Sequence, residues 1–368
     1  MMTPSPAPPV SSVPAPFFSI VVPCCDVEPH VAECFDSVLA QPFGDWELLA
    51  VVETSRDRTE EIVRSYAARD PRIRVAVGPR TGSCSVPRNR GIELARGDYV
   101  VFLDGDDTLV PGSLPRLRDL ISARPGADLY PCALQVHNDL TGLDEELRDN
   151  YPPDASPELS GPDATLLAAR RKNDYPHPQM QLTVFRRAFL LERALRCVPG
   201  LRHQDSEFSP RALYLARRVV PLHLPFYVYR IHNQSVQTLA KSKSHFLRDY
   251  AIGLRSLLAF HAQVSREPGF NPRVADCWRR GWLTLLFLKW FSADFVKSVP
   301  RAERRETLRI VFADGTADFD ALLRGGSRQR RLAGWLAKAF VFRPPLAGLA
   351  EFFFSRLYFP LAARRSRP

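Results

Sequence analysis

Apolar and polar positions follow two alternating periods over the first hundred residues, which predicts strands alternating with helices. Residues 18–22, 46–52, 73–77 and 99–103 are short apolar runs rich in β-branched and aromatic side chains, as in strands buried on both faces. Between the first two runs, apolar residues recur at the spacing of one helix face: Val31, Cys34, Phe35, Val38 and Leu39. This alternation predicts an α/β fold with a mostly parallel sheet and helices on both faces.

Three further segments complete the predicted elements of the first half. Asp57, followed three residues later by Glu60, resembles a capping box that opens a helix. A helix is also predicted at 86–96. Residues 141–174 are polar and rich in proline, which predicts a loop or insertion at the edge of the sheet.

The fourth apolar run ends in Asp104-Gly105-Asp106-Asp107, where a parallel sheet binds its ligands. A tight turn directs Asp104 and Asp106 towards one divalent cation that also holds phosphate oxygens. An ordinary turn whose Asp caps the next helix is the alternative. An EF-hand calcium loop is excluded, because its sixth and twelfth positions are Leu109 and Pro115 rather than Gly and Glu.

Seven short blocks resemble, in the same order, the family 2 glycosyltransferases. They are residues 19–23, 36–41, 46–49, 55–59, 88–91, 95–100 and 102–107. The resemblance covers residues 17 to about 238. It implies a GT-A fold, a nucleotide-diphosphate sugar donor, divalent Mn or Mg as cofactor, and inversion at the sugar carbon.

At the first two strand ends, the resemblance implies a donor-binding role for Pro23, Asp26 and Glu53. The chain departs from the family there, because Cys25 stands where the family has Tyr and Val52 replaces the first of two acids. A Glu carboxylate still accepts hydrogen bonds from a nucleobase N–H, so base binding is expected without a defined base.

Four residues around the fourth strand carry family roles in the same way. Arg88 and Asn89 match an Arg-Asn pair that supports the donor pocket, although a solvated surface charge is the ordinary interpretation of such an Arg. Asp104 and Asp106 match the family's Asp-x-Asp. The resemblance implies that Asp106 contacts the metal directly, and that Asp104 contacts the ribose and the coordination shell of the metal.

Residues 200–208 resemble the family segment that supplies the catalytic base, and the match places that role on Asp205. Gln204 replaces the family's Glu. A sugar hydroxyl is a weak nucleophile, so a positioned carboxylate that accepts its proton speeds transfer. A helix N-cap is the alternative for Asp205, and His203 and Glu207 are its rivals, with Glu207 the better partner for a helix dipole.

Residues 227–235 resemble the segment that closes these catalytic domains. Arg230 and His232 are expected at the donor diphosphate, because fixed positive groups favour its departure. For His232 a hydrogen-bonded structural role is the alternative.

The last third differs in character. From residue 321 to 368 there are ten Lys or Arg and one acid, in a chain of net charge +10. A helix face of Leu332, Trp335, Leu336, Ala339 and Phe340 lies among these charges. A basic amphipathic segment with Trp and Phe predicts binding to a membrane surface, and a helical subdomain that packs on the catalytic domain with its charges solvated is the alternative.

The predicted organisation is a disordered leader at 1–16, a catalytic domain at 17–240 and a basic helical region at 241–368. Seven cysteines without pair spacing are typical of reduced thiols, so the expected location is cytoplasmic, at the inner face of the membrane. No nucleic-acid partner is expected.

Two functions remain open from the sequence. The first is an inverting, metal-dependent glycosyltransferase that acts on a carbohydrate, polyol or lipid-linked acceptor in cell-surface polysaccharide or glycolipid synthesis. The second is a non-catalytic relative, a binding or assembly protein whose donor pocket is degenerate. Retention of Asp104, Asp106 and Asp205 favours the enzyme.

Overall fold

The computed structural model describes residues 15–149, 151–171, 179–232, 243–313, 315, 317–324 and 327–354. Its strands are β1 Phe18–Cys24, β2 Trp46–Glu53, β3 Ile73–Gly78, β4 Tyr99–Phe102, β5 Thr108–Leu109, β6 Leu129–Pro131, β7 Ala133–Asn138, β8 Leu143–Asp149, β9 Thr183–Arg186 and β10 Pro225–Ile231. Its helices are α1 Val31–Leu39, α2 Thr59–Arg69, α3 Ser85–Leu94, α4 Ser113–Ala123, α5 Gly161–Arg171, α6 Arg187–Glu192, α7 Asp205–Leu215, α8 Lys243–Val264, α9 Pro272–Phe291, α10 Ala293–Ser298, α11 Arg301–Val311, α12 Ala317–Leu323, α13 Arg328–Phe342 and α14 Ala347–Phe353.

The central sheet has the strand order β3-β2-β1-β4-β9-β6. The four strands β1 to β4 are parallel neighbours and agree with the four predicted runs, whereas β9 is antiparallel to both β4 and β6. The predicted α/β fold with a mostly parallel sheet is therefore confirmed.

Both faces of the sheet are covered by helices. Ile20 and Val22 of β1 pack in one apolar core with Phe35 of α1. The intervening Val21 packs on the opposite side, in a core that contains Ile92 of α3. Because side chains alternate along a strand, this division shows why the strands are apolar throughout.

One glycine sets the distance between α3 and the sheet. A Cβ at Gly91 would lie 2.2 Å from Cγ1 of Val21, which no packed pair of carbon atoms tolerates. The absence of a side chain here lets α3 lie directly on β1, and this contact places the start of α3 beside the end of β4.

Two predicted elements were wrong in detail. The capping box does not form: Asp57 accepts the N–H of Thr59, while Glu60 pairs with Arg64 on the exposed side of α2. The segment 141–174 is not simply a loop, because it contains β8 and α5. The strand β8 forms a hairpin with its neighbour β7, whereas α5 packs on α7, which comes much later in the chain.

A second sheet, with the order β5-β10-β7-β8, was not predicted. Its short strand β5 directly follows the acidic turn, and β10 pairs antiparallel with β5. This pairing brings the segment after residue 225 to the carboxyl end of β4.

The helices from α8 to α14 share a separate apolar core. The amphipathic face predicted on α13 is divided in the structure: Leu336, Ala339 and Phe340 are buried, while Leu332 and Trp335 are 47% and 49% exposed. The packed alternative thus accounts for one half of that face.

The predicted boundary at 240 and most of the leader fall outside the described residues, so the domain limits stay predictions. No disulfide joins any of the seven cysteines, all of which lie in the described part of the chain. None of the helices in the described part of the chain combines the length and apolar character that crossing a bilayer requires.

Candidate active site

The carboxylates after β4 lie on a tight turn. The backbone N–H of Asp107 donates to the carbonyl of Asp104 at 3.0 Å and closes this turn. A Cβ at Gly105 would lie 3.1 Å from the carbonyl oxygen of Pro23 and 3.2 Å from the side chain of Val27. The end of β1, with the predicted residue Pro23, is therefore in direct contact with the acidic turn.

Asp104 is held by two donors. Nη2 of the buried Arg88 donates to its Oδ1, and Nε2 of Gln181 donates to its Oδ2 at 2.7 Å. Arg88 is not the solvated surface charge that the sequence left open. Both oxygens of Asp104 face donors, so its orientation is fixed before any ligand binds.

The partly buried Asp106 faces His232. This histidine is buried and directly follows the end of β10. The distance between Oδ2 of Asp106 and Nε2 of His232 is 3.1 Å. Two neighbouring ligands of an octahedral cation at about 2.1 Å lie about 3 Å apart, so this pair fits one edge of such a site. No group of three His, Cys, Asp or Glu that could hold a metal ion occurs in the described ranges.

The ring of His30 lies beside this pair and is tilted by 51° against the ring of His232, with the two centroids 4.5 Å apart. Burial lowers the pKa of His30, and the neighbouring side chains of His232 and Arg230 lower it further. His30 is therefore neutral near pH 7, and it offers a nitrogen atom without adding charge.

Asp107, the third acid, supports the fold. Its carboxylate accepts the hydroxyl of Tyr227 and, at 2.8 Å, the backbone N–H of Arg230. Burial raises the pKa of Asp107 well above its usual value, and the charges of Asp106 and Asp104 raise it further. These bonds fasten β10 to the acidic turn.

Asp26 adopts the left-handed region, with φ of 52°, at the first strand end. Its Oδ1 accepts the backbone N–H of Arg56 at 2.7 Å, and its Oδ2 pairs with Arg80. Burial raises the pKa of Asp26, but the bonds from Arg56 and Arg80 outweigh it and hold the pKa below its usual value. Asp26 thus joins the first two loops of the predicted donor pocket.

Glu53 is buried at the end of β2, and the hydroxyl of Thr81 donates to its Oε1. A carboxylate has capacity for further donors, so this bond is compatible with a nucleobase N–H on Oε2. The role of Glu53 in base binding stays a prediction.

Asn89 uses both ends of its amide on one backbone residue. Its Nδ2 donates to the carbonyl of Cys197, and its Oδ1 accepts the N–H of Cys197, each at 2.8 Å. Asn89 therefore fixes the segment before α7 through these two hydrogen bonds. Its predicted contact with the donor stays a prediction.

Arg230 lies across the start of α1. Its Nη2 is 2.6 Å from Oε2 of Glu33, and its Nη1 is 3.1 Å from Nδ1 of His30. The guanidinium is thus close to the Asp106 and His232 pair through His30, and its contact with a diphosphate stays a prediction.

Asp205 is the first residue of α7 and is only partly buried. Its carboxylate accepts the N–H of Ser206 at 2.9 Å, the one hydrogen bond that it makes with the described residues. The rival Glu207 is fully buried, receives Nε and Nη2 of Arg211 at 2.6 and 2.7 Å, and accepts the hydroxyl of Ser256. Glu207 is therefore engaged in contacts within the fold and has no exposed surface to offer to a substrate.

Arg88 connects the two sides of the site. In the amide orientation that satisfies both of its ends, Gln204 accepts from Nη1 of Arg88 and donates to the carbonyl of Leu201 at 3.2 Å. The same guanidinium therefore contacts Asp104 and the residue that precedes Asp205.

The sequence analysis missed Gln181, Thr81 and Arg80. Each is a single polar residue outside the recognised blocks, and each reaches a predicted residue only through the folded chain. No spacing in the sequence distinguishes them from other surface residues.

Comparison with known proteins gives the same family. Residues 19–192 match the sequence profile described as glycosyl transferase family 2. The chain is 33% identical over 225 residues to an uncharacterised glycosyltransferase, EpsJ, of Bacillus subtilis, and covers 63% of that protein with 60% of its own length. It is 26% identical over 269 residues to the uncharacterised glycosyltransferase YibD of Escherichia coli, covering 76% of that protein with 68% of its own length.

The fold is similar to that of TarS from S. aureus. The TM-score is 0.65 at 18% identity, over 91% of this chain and 55% of that chain. Fragment 1–349 of TarS, solved in complex with UDP-GlcNAc, has a TM-score of 0.57 at 20% identity, over 93% of this chain and 91% of that fragment. With the acidic turn at the end of β4, the profile match makes residues 19–192 similar to glycosyltransferase family 2, and the similarity to TarS shows a GT-A fold.

Proposed function

We propose that the protein transfers a sugar from a nucleotide-diphosphate donor to an acceptor hydroxyl with inversion of configuration. The observation that carries this proposal is the connection of Asp104 to the segment of Asp205 through Arg88 and Gln204. It supports a donor site and a proton acceptor on opposite sides of one reacting carbon.

The donor side offers two residues to a divalent cation, Asp106 and His232. A cation of the Mg²⁺ type uses one or two protein groups and completes its shell with phosphate oxygens and water, so two residues suffice. When bound, it would offset the charge of the leaving diphosphate. In this proposal Asp104, held by Arg88 and Gln181, accepts hydrogen bonds from the ribose hydroxyls with its remaining lone pairs.

On the acceptor side, Asp205 takes the proton of the attacking hydroxyl. The acceptor oxygen forms its bond to the anomeric carbon while the bond from that carbon to the diphosphate oxygen breaks. The nucleoside diphosphate leaves from the opposite face, so one displacement inverts the configuration. A positioned carboxylate base contributes about 10²–10⁴-fold.

The test is a panel of nucleotide sugars incubated with the full chain and Mn²⁺, Mg²⁺ or EDTA. UDP-GlcNAc is the first donor to try, because the TarS fragment was solved with it. Release of nucleoside diphosphate that stops in EDTA is expected, and NMR of the product anomer reports inversion. Donor binding without turnover over the whole panel would favour the binding or assembly protein instead.

The names of two relatives connect the family with surface polymers. The chain is 35% identical over 149 residues to the O-antigen biosynthesis protein RfbC of Myxococcus xanthus, and 30% identical over 130 residues to a putative teichuronic acid biosynthesis glycosyltransferase, TuaG, of B. subtilis. These similarities support a role in the synthesis of a cell-surface polysaccharide or glycolipid.

The exposed face of α13 supports attachment to an anionic membrane. Leu332, Trp335 and Phe342 are 47%, 49% and 55% exposed, and the exposed Arg328 and Arg331 lie on the same side of this helix. Apolar side chains flanked by arginines fit the boundary of an anionic leaflet. Such attachment would bring the site to lipid-linked acceptors at the inner face of the cell membrane.

A further inference from the structure

Helix α8, outside the residues matched by the family profile, packs one of its faces on the start of α7. Ser256 donates to Glu207 at 2.6 Å, and a Cβ at Gly253 would lie 3.5 Å from Leu201 and 3.6 Å from Glu207. These contacts fix the rotation of α8 about its axis.

The same face of α8 continues towards its N-terminus with Phe246, Asp249 and Tyr250, because residues three, four and seven apart share a side of a helix. The imidazole of His203 lies nearly parallel to both rings, with centroid distances of 4.9 Å to Phe246 and 5.9 Å to Tyr250. All three side chains are only partly buried.

This aromatic group adjoins Asp205. His203 precedes Asp205 by two residues, and the charges of Asp205 and Asp249, after burial, contribute to raising the pKa of Tyr250 to about 12. Lys289 of α9 places its Nζ 4.7 Å from the centroid of the Tyr250 ring and stabilises the ring position. Lys289, which stands between Leu288 and Trp290 in α9, thus contacts this aromatic group.

His203 has an unused polar atom beside these rings. Its Nε2 is buried and has no hydrogen-bond partner among the described residues. Burial lowers the pKa of His203, so the ring is neutral near pH 7. A buried nitrogen without a partner costs free energy that a ligand hydroxyl recovers.

We propose that His203, Phe246 and Tyr250 form an acceptor shelf that binds the pyranose ring of a carbohydrate acceptor next to Asp205. The inference rests on the proposed function and selects a cyclic sugar among the possible acceptors. The apolar C–H face of a pyranose packs on the aromatic rings, and Nε2 of His203 bonds one of its hydroxyls. An acyclic polyol has no flat face to match the shelf. Acceptor choice then lies in α8, outside the family profile.

The test measures sugar binding without any donor, so it does not depend on catalysis. Saturation-transfer NMR is recorded on the full chain with methyl gluco-, galacto- and mannopyranosides and methyl N-acetylglucosaminide as cyclic probes, and with glycerol and ribitol as acyclic probes. At least one cyclic probe is expected to bind, and the acyclic probes are expected to bind at least about tenfold more weakly, which is 1.4 kcal/mol.

Variants locate the binding. Phe246→Leu keeps an apolar side chain but removes the ring, and about a tenfold loss of cyclic-probe binding is expected; Tyr250→Phe keeps the ring and should retain most of it. Phe352→Ala, at an exposed phenylalanine of α14, is the matched control and should bind as the wild type does. Thermal melting of each variant verifies folding.

In transfer assays, Phe246→Leu should raise the acceptor KM about tenfold, whereas the control Phe352→Ala should keep the wild-type KM. Absence of cyclic-probe binding, equal binding of polyols, or an unaffected Phe246→Leu variant would overturn the shelf. A wild-type protein that binds cyclic sugars but hydrolyses no donor would instead contradict the proposed function alone.

Discussion

The two sides of the candidate site differ in how completely their carboxylates are hydrogen-bonded. On the donor side, both oxygens of Asp104 and both oxygens of Asp107 receive hydrogen bonds within the fold. On the acceptor side, Asp205 accepts one bond from its neighbour. Buried atoms without a partner among the described residues occur on both sides: Nε2 of His203 on the acceptor side, and Nε of Arg88 and Oε1 of Gln181 on the donor side.

From this difference we expect the proposed donor side to be ordered before substrate arrives, and the proposed acceptor side to gain hydrogen bonds from the substrate. A preorganised group loses little entropy when the ligand binds. A buried polar group without a hydrogen-bond partner instead increases the affinity for a ligand that supplies the missing bond. Substitutions on the two sides should therefore have separable effects.

The largest effect is expected from Asp106→Asn on the donor side. An amide is a poor ligand for the cation that Asp106 and His232 are proposed to share, so transfer should fall about 10³-fold, as for other lost electrostatic groups at a reacting centre. Metal-dependent donor binding, measured by calorimetry with and without Mn²⁺, should weaken as well. Asp119→Asn, at an exposed acid of α4, serves as the control. Unchanged turnover in EDTA would remove the basis of this prediction.

On the acceptor side, Asp205→Asn should lower the rate of transfer about 10²-fold or more, because the acceptor proton has no carboxylate to receive it. Donor affinity should be unchanged, since the residues assigned to the donor lie on the other side of Arg88. Single-turnover kinetics beside equilibrium donor binding separate the two quantities.

Glu207→Gln is the comparison for that variant. Glu207 is fully buried against Arg211, and losing one charge of a buried pair destabilises a protein by about 3–5 kcal/mol. A lower melting temperature is therefore expected, with catalysis retained in the folded fraction. If Glu207→Gln abolished transfer at an unchanged melting temperature while Asp205→Asn did not, the two roles would have to be exchanged.

A smaller effect is expected when the membrane face is altered. Replacing Trp335 with Ala should reduce binding to anionic vesicles about tenfold, because an exposed aromatic side chain stabilises interfacial attachment. Co-sedimentation at low and high salt measures this, and Leu191→Ala, at an exposed leucine of α6, is the control. Equal binding to neutral and anionic vesicles would argue that the helices only pack on the catalytic domain. The Trp335→Ala variant should keep the wild-type activity towards soluble substrates.

The smallest effect concerns pH and the donor side. Because the pKa of Asp107 in the folded protein is raised above its usual value of 3.8, its contribution to stability is complete at low pH and is lost as the pH rises through the folded pKa. Without divalent cations, the free energy of unfolding of the wild type should show this decline. Asp107→Asn stays neutral and should lack it. Urea denaturation at a series of pH values measures both, and identical pH profiles would be evidence against the raised pKa.

The parts that the sequence predicted well have local causes. The strands β1 to β4 are mostly apolar runs, and the acidic turn follows the last of them directly, so both can be recognised without tertiary contacts. The second sheet cannot: β5 has two residues, and β8 has the mostly charged sequence Leu-Asp-Glu-Glu-Leu-Arg-Asp, so both are strands only because β10 and β7 pair with them.

The candidate site shows the same limit. Asp104, Asp106 and Asp205 lie in blocks that resemble the family, and their donor-side and acceptor-side roles stay predictions. The partners that orient them, such as Gln181 for Asp104 and His232 for Asp106, depend on pairings between segments more than 70 residues apart. Periodicity and short motifs contain no information about such pairings.

The bonds of Asp107 have a consequence for synthesis on the ribosome. Its carboxylate depends on the backbone N–H of Arg230, which is 123 residues later in the chain. At about 5–20 residues per second, the acidic turn waits roughly 6–25 s for the strand that encloses it. We expect nascent chains that end before β10 to remain open at β4, and protease cleavage of ribosome-stalled chains of increasing length would show whether protection begins only when Arg230 has emerged.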